Sequence, residues 1–284
     1  MSQELLDRQN ADGGWSFRRG GGSWTEPTCY ALLALAASEP ASTTAVHRGT
    51  EWLASRQRPD GGWAPKDGVD QSTWVTALVL LLPLNISSGF QSARAAGWLL
   101  AETGRESSFI QRLRWRLLGV SVDSSQSYDG WPWYPGAAAW VAPTALSVLA
   151  LQKIPNPGSD IRSRIGQGQA FLLARRCRDG GWNHGSTQAL GYDSDSYPET
   201  TGIVALALHG SKDPVMPDAL RVVERHRERS QSLEASSWLT LALLAWGRRP
   251  APVNLPGNGG TIELALAEIA RAAAAGRNMF LDQP

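Results

Sequence analysis

Two kinds of apolar pattern alternate along the chain. The first is apolar nearly all round: residues 26–35 (EPTCYALLAL), 72–81 (STWVTALVLL), 142–151 (APTALSVLAL), 199–208 (ETTGIVALAL) and 235–244 (ASSWLTLALL). A helix with that pattern is buried on every side. Ala and Leu favour its interior, and Pro27 and Pro143 suit a first turn, where a missing N–H costs nothing. The second kind is two-faced. Residues 44–56 set Val46, Trp52 and Leu53 on one face and charges on another, and similar patterns occupy 91–102, 160–176, 216–229 and 261–275. Residues 3–8 read as a truncated member of this second set.

A turn joins each two-faced helix to the apolar one after it. Gln9-Asn-Ala-Asp-Gly-Gly-Trp15 recurs as Gln57-Arg-Pro-Asp-Gly-Gly-Trp63, as Cys177-Arg-Asp-Gly-Gly-Trp182 and, shortened, as Tyr128-Asp-Gly-Trp131. Trp15 and Trp63 are 48 positions apart and Trp131 and Trp182 are 51; the 68 between Trp63 and Trp131 mark an insertion. Glycines supply the positive φ that ends a helix and turns the chain, and Asp bonds amides within the turn. Trp is an apolar plate with one donor, suited to sealing the turn against its neighbours, and Gln suits a bond between repeats. The four tryptophans and their aspartates therefore read first as scaffold. A unit of one buried and one half-buried helix cannot hide its apolar face alone. Repetition with fully apolar inner helices predicts an all-α, closed (α/α)6 toroid, residues 1–284 forming one domain. Five inner helices are clear. The sixth is either residues 108–119 (SFIQRLRWRLLG), or that segment belongs to the insertion.

Composition narrows the function classes. The 27 Lys and Arg nearly balance 26 Asp and Glu, which argues against nucleic acid as a partner. Two cysteines make no disulfide framework, and the first residues carry no apolar leader core, so a cytoplasmic protein is expected. The longest apolar run, 74–84, is too short for a membrane span of about 20 residues. The turns account for part of the excess of Trp, 13 against 5 Phe and 5 Tyr.

The Gln…Gly-Gly-Trp turns and the Pro-Thr-x-x-Ala-Leu helices that follow them resemble the squalene–hopene cyclase and protein prenyltransferase β-subunit superfamily. The likeness runs from about Gln9 to Trp246. It implies a terpenoid cyclase-like barrel and an isoprenoid ligand. Class II cyclases protonate an alkene or epoxide with an Asp-x-Asp-Asp motif. Here the nearest string is Asp193-Ser-Asp195-Ser196. The prenyltransferase zinc pattern of Asp, Cys and His is missing around Cys29, Cys177 and His184, as is the Cys-Gly-Glu-Gln string of thioester-containing relatives. Full triterpene cyclases carry two barrels, so a partner protein or a second domain in trans belongs to the picture.

Chemistry is expected where the inner helices begin, since helix starts converging on a hollow make a default ligand site. Trp24, Glu26, Asp70, Trp140, Tyr197, Glu199 and Glu234 fall there by repeat alignment, with Glu26 and Glu199 at equivalent positions. The plain reading is first-turn carboxylates favoured by the helix dipole. The sharper reading makes them the catalytic pair. Two acids in one low-dielectric site keep one of them protonated, as alkene protonation requires. Trp24, Trp74, Trp140, Tyr197 and Trp238 are then the substrate walls, able to stabilise a carbocation. Asp193 and Asp195 crowd Glu199 as further substrate contacts. No cofactor is expected, Mg²⁺ on Asp193 and Asp195 being the minor reading. His226 reads as a surface residue. Three functions follow: acid-initiated chemistry on a polyprenyl chain, a non-catalytic toroid binding an apolar ligand or partner, and a carbohydrate-active barrel.

Overall fold

The alternating pattern folds into alternating outer and inner helices. The computed structural model describes residues 2–38, 43–105, 129–185, 188–189, 192–253 and 259–281, with 188–189 and 192–193 as backbone only. In chain order the helices are α1 (Ser2–Leu6), α2 (Thr25–Ala37), α3 (Thr43–Ala54), α4 (Val75–Leu80), α5 (Ser92–Ala101) and α6 (Val141–Gln152). They continue as α7 (Ser159–Ala174), α8 (Pro198–Ala207), α9 (Met216–Arg229), α10 (Leu233–Ala245) and α11 (Thr261–Ala274). Two short antiparallel pairs, β1 (Trp131–Pro132) with β2 (Ala139–Trp140) and β3 (Gln188–Ala189) with β4 (Tyr192–Asp193), precede α6 and α8.

The inner ring closes. Helix α2 packs on α4, α4 on α6, α6 on α8, α8 on α10, α10 on α11, and α11 returns to α2. The others lie outside: α1 against α2 and α11, α3 against α2, α5 against α4, α7 against α6, and α9 against α8 and α10. The sixth inner position thus belongs to α11, which the sequence pattern assigned to the outer set. Segment 108–119 lies outside the described residues. Among the described residues, five-residue α1 backs α11 on its outer side, and α11 keeps an exposed residue such as Arg271 while Leu264, Ala265, Leu266 and Ile269 are buried.

One backbone bond recurs around the ring. The amides of Thr25, Trp74, Val141 and Thr261 donate to the carbonyls of Pro65, Trp133, His184 and Phe17 at 2.9, 3.2, 3.1 and 3.0 Å. Each acceptor lies two residues beyond a turn tryptophan, and each donor is an amide at a helix start, where intrahelical partners are lacking. The last of these bonds joins the end of the chain to its beginning.

The turns are satisfied from several sides. The indole nitrogens of Trp15, Trp63, Trp131 and Trp182 donate to the carbonyls of Leu5, Leu53, Leu99 and Leu172 at 2.6–2.8 Å. Their amides donate to the hydroxyls of Thr28, Thr76, Thr144 and Thr201 at 2.8–3.0 Å. Asp12, Asp60 and Asp179 accept from the amides of Gly14, Gly62 and Gly181. Gln9 donates to Gly13 and, across repeats, to Ala45. Gly61 has φ +97°, and a Cβ there would meet the Arg94 carbonyl oxygen at 2.6 Å, so the position excludes a side chain. The third turn is held from a further side. The buried Arg164 stacks 3.3 Å over Trp131 and donates to Asp129 and Glu102 carbonyls.

Trp238 is 1% exposed and packs against Phe280 and Tyr30, centroids 5.0 and 6.1 Å away. Trp238 is therefore core, not the substrate wall expected from its place in the repeat: it lies six residues past the helix N-cap Ser232, more than a turn below the rim. At the far end, Lys153 bonds the carbonyls of Leu81 and Met279 at 2.9 and 2.7 Å. Among the described residues no helix is long and apolar enough to cross a membrane.

Candidate functional site

The inner helices begin at one rim, and four of them have an aromatic N-cap residue: Trp24, Trp74, Trp140 and Tyr197. Each has a ring partner. Trp24 meets Phe17 edge-on at 5.4 Å and lies under the Lys66 ammonium at 4.7 Å; Trp74 meets Trp133 at 4.8 Å. His184 stands between Trp140 and Tyr197, at 6.3 and 4.9 Å. Trp140 and Tyr197, 38% and 45% exposed, border a hollow of about 400 Å³ together with His184, Asn183 and Arg175.

A larger hollow, about 1010 Å³, opens where α11 begins between α2 and α10. Glu26, Glu234 and Glu263 line it together with Arg8, Arg18 and Arg19. Burial, followed by the charge of Glu234, pushes the Glu26 carboxyl up to about 7. Burial, with Glu199 and then Glu263 adding negative charge, raises Glu234 as well. Beneath Glu26 on α2, burial and then Glu26 itself raise the Cys29 thiol and the Tyr30 phenol well above their ordinary values. Glu263 is engaged at its own helix start, where its Oε2 accepts from the Gly260 amide at 2.7 Å. Arg8 donates to Glu4 at 2.6 Å, and its buried Nε has no partner among the described residues. A carboxylic acid with pKa near 7 is half protonated at neutral pH, which suits a proton donor.

The expected residues separate into distinct places. Glu26 lines the large hollow. Glu199 is in the first turn of α8, close enough to act electrostatically on Glu234 and His226, but it is not among the residues lining that hollow. The carboxylate facing Glu26 is Glu234. Trp140 and Tyr197 share the smaller hollow, while Trp24 and Trp74 sit half-buried along the rim. Asp195 is exposed; the Asp193 side chain lies outside the described residues.

His226 is half-buried rather than on the surface, its Nε2 2.7 Å from Ser196 Oγ. That hydroxyl donates to Asp179 at 2.7 Å, so Ser196 braces the fourth turn and is not activated by histidine as a nucleophile. Repeat alignment placed Glu234 at the rim but did not pair it with Glu26: Glu26, Glu199 and Glu234 each lie two residues beyond an N-cap. The arginines carry no such signal, because α1 and the loop after Trp15 reach the hollow only when the ring closes.

No protein-family model matches the chain. A (+)-kolavenyl diphosphate synthase from Herpetosiphon aurantiacus is 35% identical over 95 residues, 34% of this chain and 16% of that protein. A drimenyl diphosphate synthase from Streptomyces showdoensis is 28% identical over 212 residues, 73% of this chain and 35% of that protein. The chain thus spans about a third or less of these curated relatives. Among solved structures, the type II terpene cyclase MstE from Scytonema superposes with TM-score 0.54 at 20% identity, covering 99% of this chain and 76% of that one. Endoglucanase Cel10 from Klebsiella pneumoniae, a family 8 glycosyl hydrolase, superposes with TM-score 0.62 at 12% identity, covering 96% and 98%. The fold is the α/α toroid of the terpenoid cyclase-like proteins.

Proposed function

We propose that this chain, a terpenoid cyclase-like α/α toroid, acts on a polyprenyl substrate by acid-initiated chemistry, with Glu26 as the acid. The observation that carries the reading is the Glu26–Glu234 pair at the rim, where Glu26 keeps a proton near neutral pH. The 212-residue likeness to a drimenyl diphosphate synthase supports the isoprenoid class. In the proposed step, protonated Glu26 gives its proton to a terminal alkene. The π electrons form the new C–H bond, a neighbouring alkene closes on the cation, and loss of a proton elsewhere leaves an isomer of the substrate. Phe17, the ring that lines the same hollow as Glu26, would shelter the cation through its π face. We place the protein in the cytoplasm, residues 1–284 acting as one domain, with a further domain supplied by another chain as part of the proposal.

Incubation with farnesyl diphosphate, geranylgeranyl diphosphate and squalene, followed by chromatography and mass spectrometry, tests this reading. The expected product has the substrate's mass and a new retention time, and Glu26→Gln should lower its formation by about a hundredfold or more. Substrate recovered unchanged across the panel, yet bound, would make the chain a binding toroid instead. One observation favours another reading: the large hollow is walled by charges, which suits a polyhydroxylated ligand. Release of reducing ends from soluble β-glucans would establish that alternative and remove the first.

A further inference from the structure

Around the rim the acidic residues follow the order of the inner helices: Glu26 on α2, Glu263 on α11, Glu234 on α10 and Glu199 on α8. Helices α2 and α10 flank α11, and Glu26 and Glu234 both line the hollow above its start. Gly259 and Gly260 occupy that start. A Cβ on Gly259 would stand 3.2 Å from Glu263 Oε2, and one on Gly260 would stand 3.3 Å from the Phe17 carbonyl oxygen. The absence of side chains here keeps this approach clear. Glu263, nearest in ring order to both acids, is tied to the Gly260 amide.

From this arrangement we infer that Glu234 is the positioning residue that sets the proton on Glu26, and that Glu199 and Glu263 act on Glu26 through it. The inference rests on the reading of Glu26 as the acid. Negative charge on Glu234 makes a second charge on the same hollow costly, so Glu26 is still about half protonated at neutral pH. Glu199 and Glu263 in turn add negative charge around Glu234, so their influence on Glu26 runs through it.

Other charged groups around the hollow do not replace Glu234. Glu4 on α1 pairs with Arg8 just beyond it. Arg18 and Arg19 are exposed on the loop, and Lys66 lies over the Trp24 ring. Cys29 and Tyr30, buried on α2, stay neutral near pH 7 because burial and Glu26 raise both.

The test is a titration of the full chain labelled with ¹³C at glutamate carboxyl carbons, the Glu26 resonance being the one lost in Glu26→Gln. The wild-type midpoint should lie near 7. In Glu234→Gln it should fall by on the order of one pH unit, while Glu234→Asp should keep it raised. Glu199→Gln and Glu263→Gln should move it by less than half as much as Glu234→Gln does. A Glu26 midpoint unmoved in both Glu234→Gln and Glu234→Ala would overturn the inference. So would a shift in Glu263→Gln as large as that in Glu234→Gln. The readout needs no substrate: the expected titration pattern in a protein that turns over no prenyl substrate would keep the coupled pair and remove only the catalytic reading.

Discussion

The Gly-Trp turns and the mouth of the ring both hold carboxylates near helix starts, yet the two regions treat them in opposite ways. In the turns, burial alone would raise Asp12 and Asp179. Hydrogen bonds from Ser23, Trp52 and Gly14 to Asp12, and from Ser196 and Gly181 to Asp179, outweigh it and hold both below the usual range. At the mouth no such donors compensate for burial, and Glu234 adds like charge, so Glu26 rises. The turns therefore favour the ionised acid and the mouth the neutral one. Dense hydrogen bonding marks the first as scaffold, and unmet charge marks the second as a place for chemistry.

The contrast has consequences that mutation and pH can break. The largest stability loss should come from a turn. Trp63 is fully buried with its indole N–H bonded to Leu53, and Trp63→Ala should cost about 3–5 kcal/mol in urea unfolding. Loss below about 1 kcal/mol would mean that the plate is not what seals the repeat.

Next comes the mouth, where the sign reverses. Because Glu26 has a folded pKa above its unfolded value, the stability from its neutral form is complete below about 4.5 and disappears as pH rises through about 7. At about 1.4 kcal/mol per pH unit, the full effect is at most about 3.5 kcal/mol. Unfolding at pH 5 and pH 8 should show Glu26→Gln close to wild type at the lower pH and more stable at the higher. Equal stability at pH 8 would place Glu26 in ordinary solvent.

A smaller loss should follow Thr144→Val, which keeps the shape but removes the acceptor of the Trp131 amide. Leaving that buried donor unmet costs about 1–3 kcal/mol. The smallest effect belongs to Asp179→Asn. The depressed pKa makes the contribution of Asp179 present at neutral pH and lost as the solution is acidified through its lowered value. The variant should be less stable than wild type near pH 7, by no more than about 1 kcal/mol, with the gap narrowing in acid. A gap that widens in acid would contradict the sign of the shift.

Much of the scaffold was legible in the residues. Gln9, Asp12, Gly13 and Trp15 do in the fold what their types imply, and the five apolar helices are the inner ones. Thr28, Thr76, Thr144 and Thr201 escaped notice because a threonine after proline or at a helix start has an ordinary local reading; only the arriving turn makes it an acceptor. The rim carboxylates were legible as helix-start acids but not in their pairing. Glu26 and Glu199 match by repeat alignment, whereas α10 brings Glu234 to the Glu26 hollow and α8 carries Glu199 further round the rim.

The order of residues alone determined the helices, their alternation and the sealed turns, because periodicity, glycine and buried tryptophan act over a few residues. Ring order was decided only in three dimensions. Closure made α11 an inner helix, buried Trp238 behind Phe280, and set Glu234 beside Glu26. Such neighbours are far apart along the chain, and the desolvation and repulsion they impose depend on distance through space, which no local pattern carries.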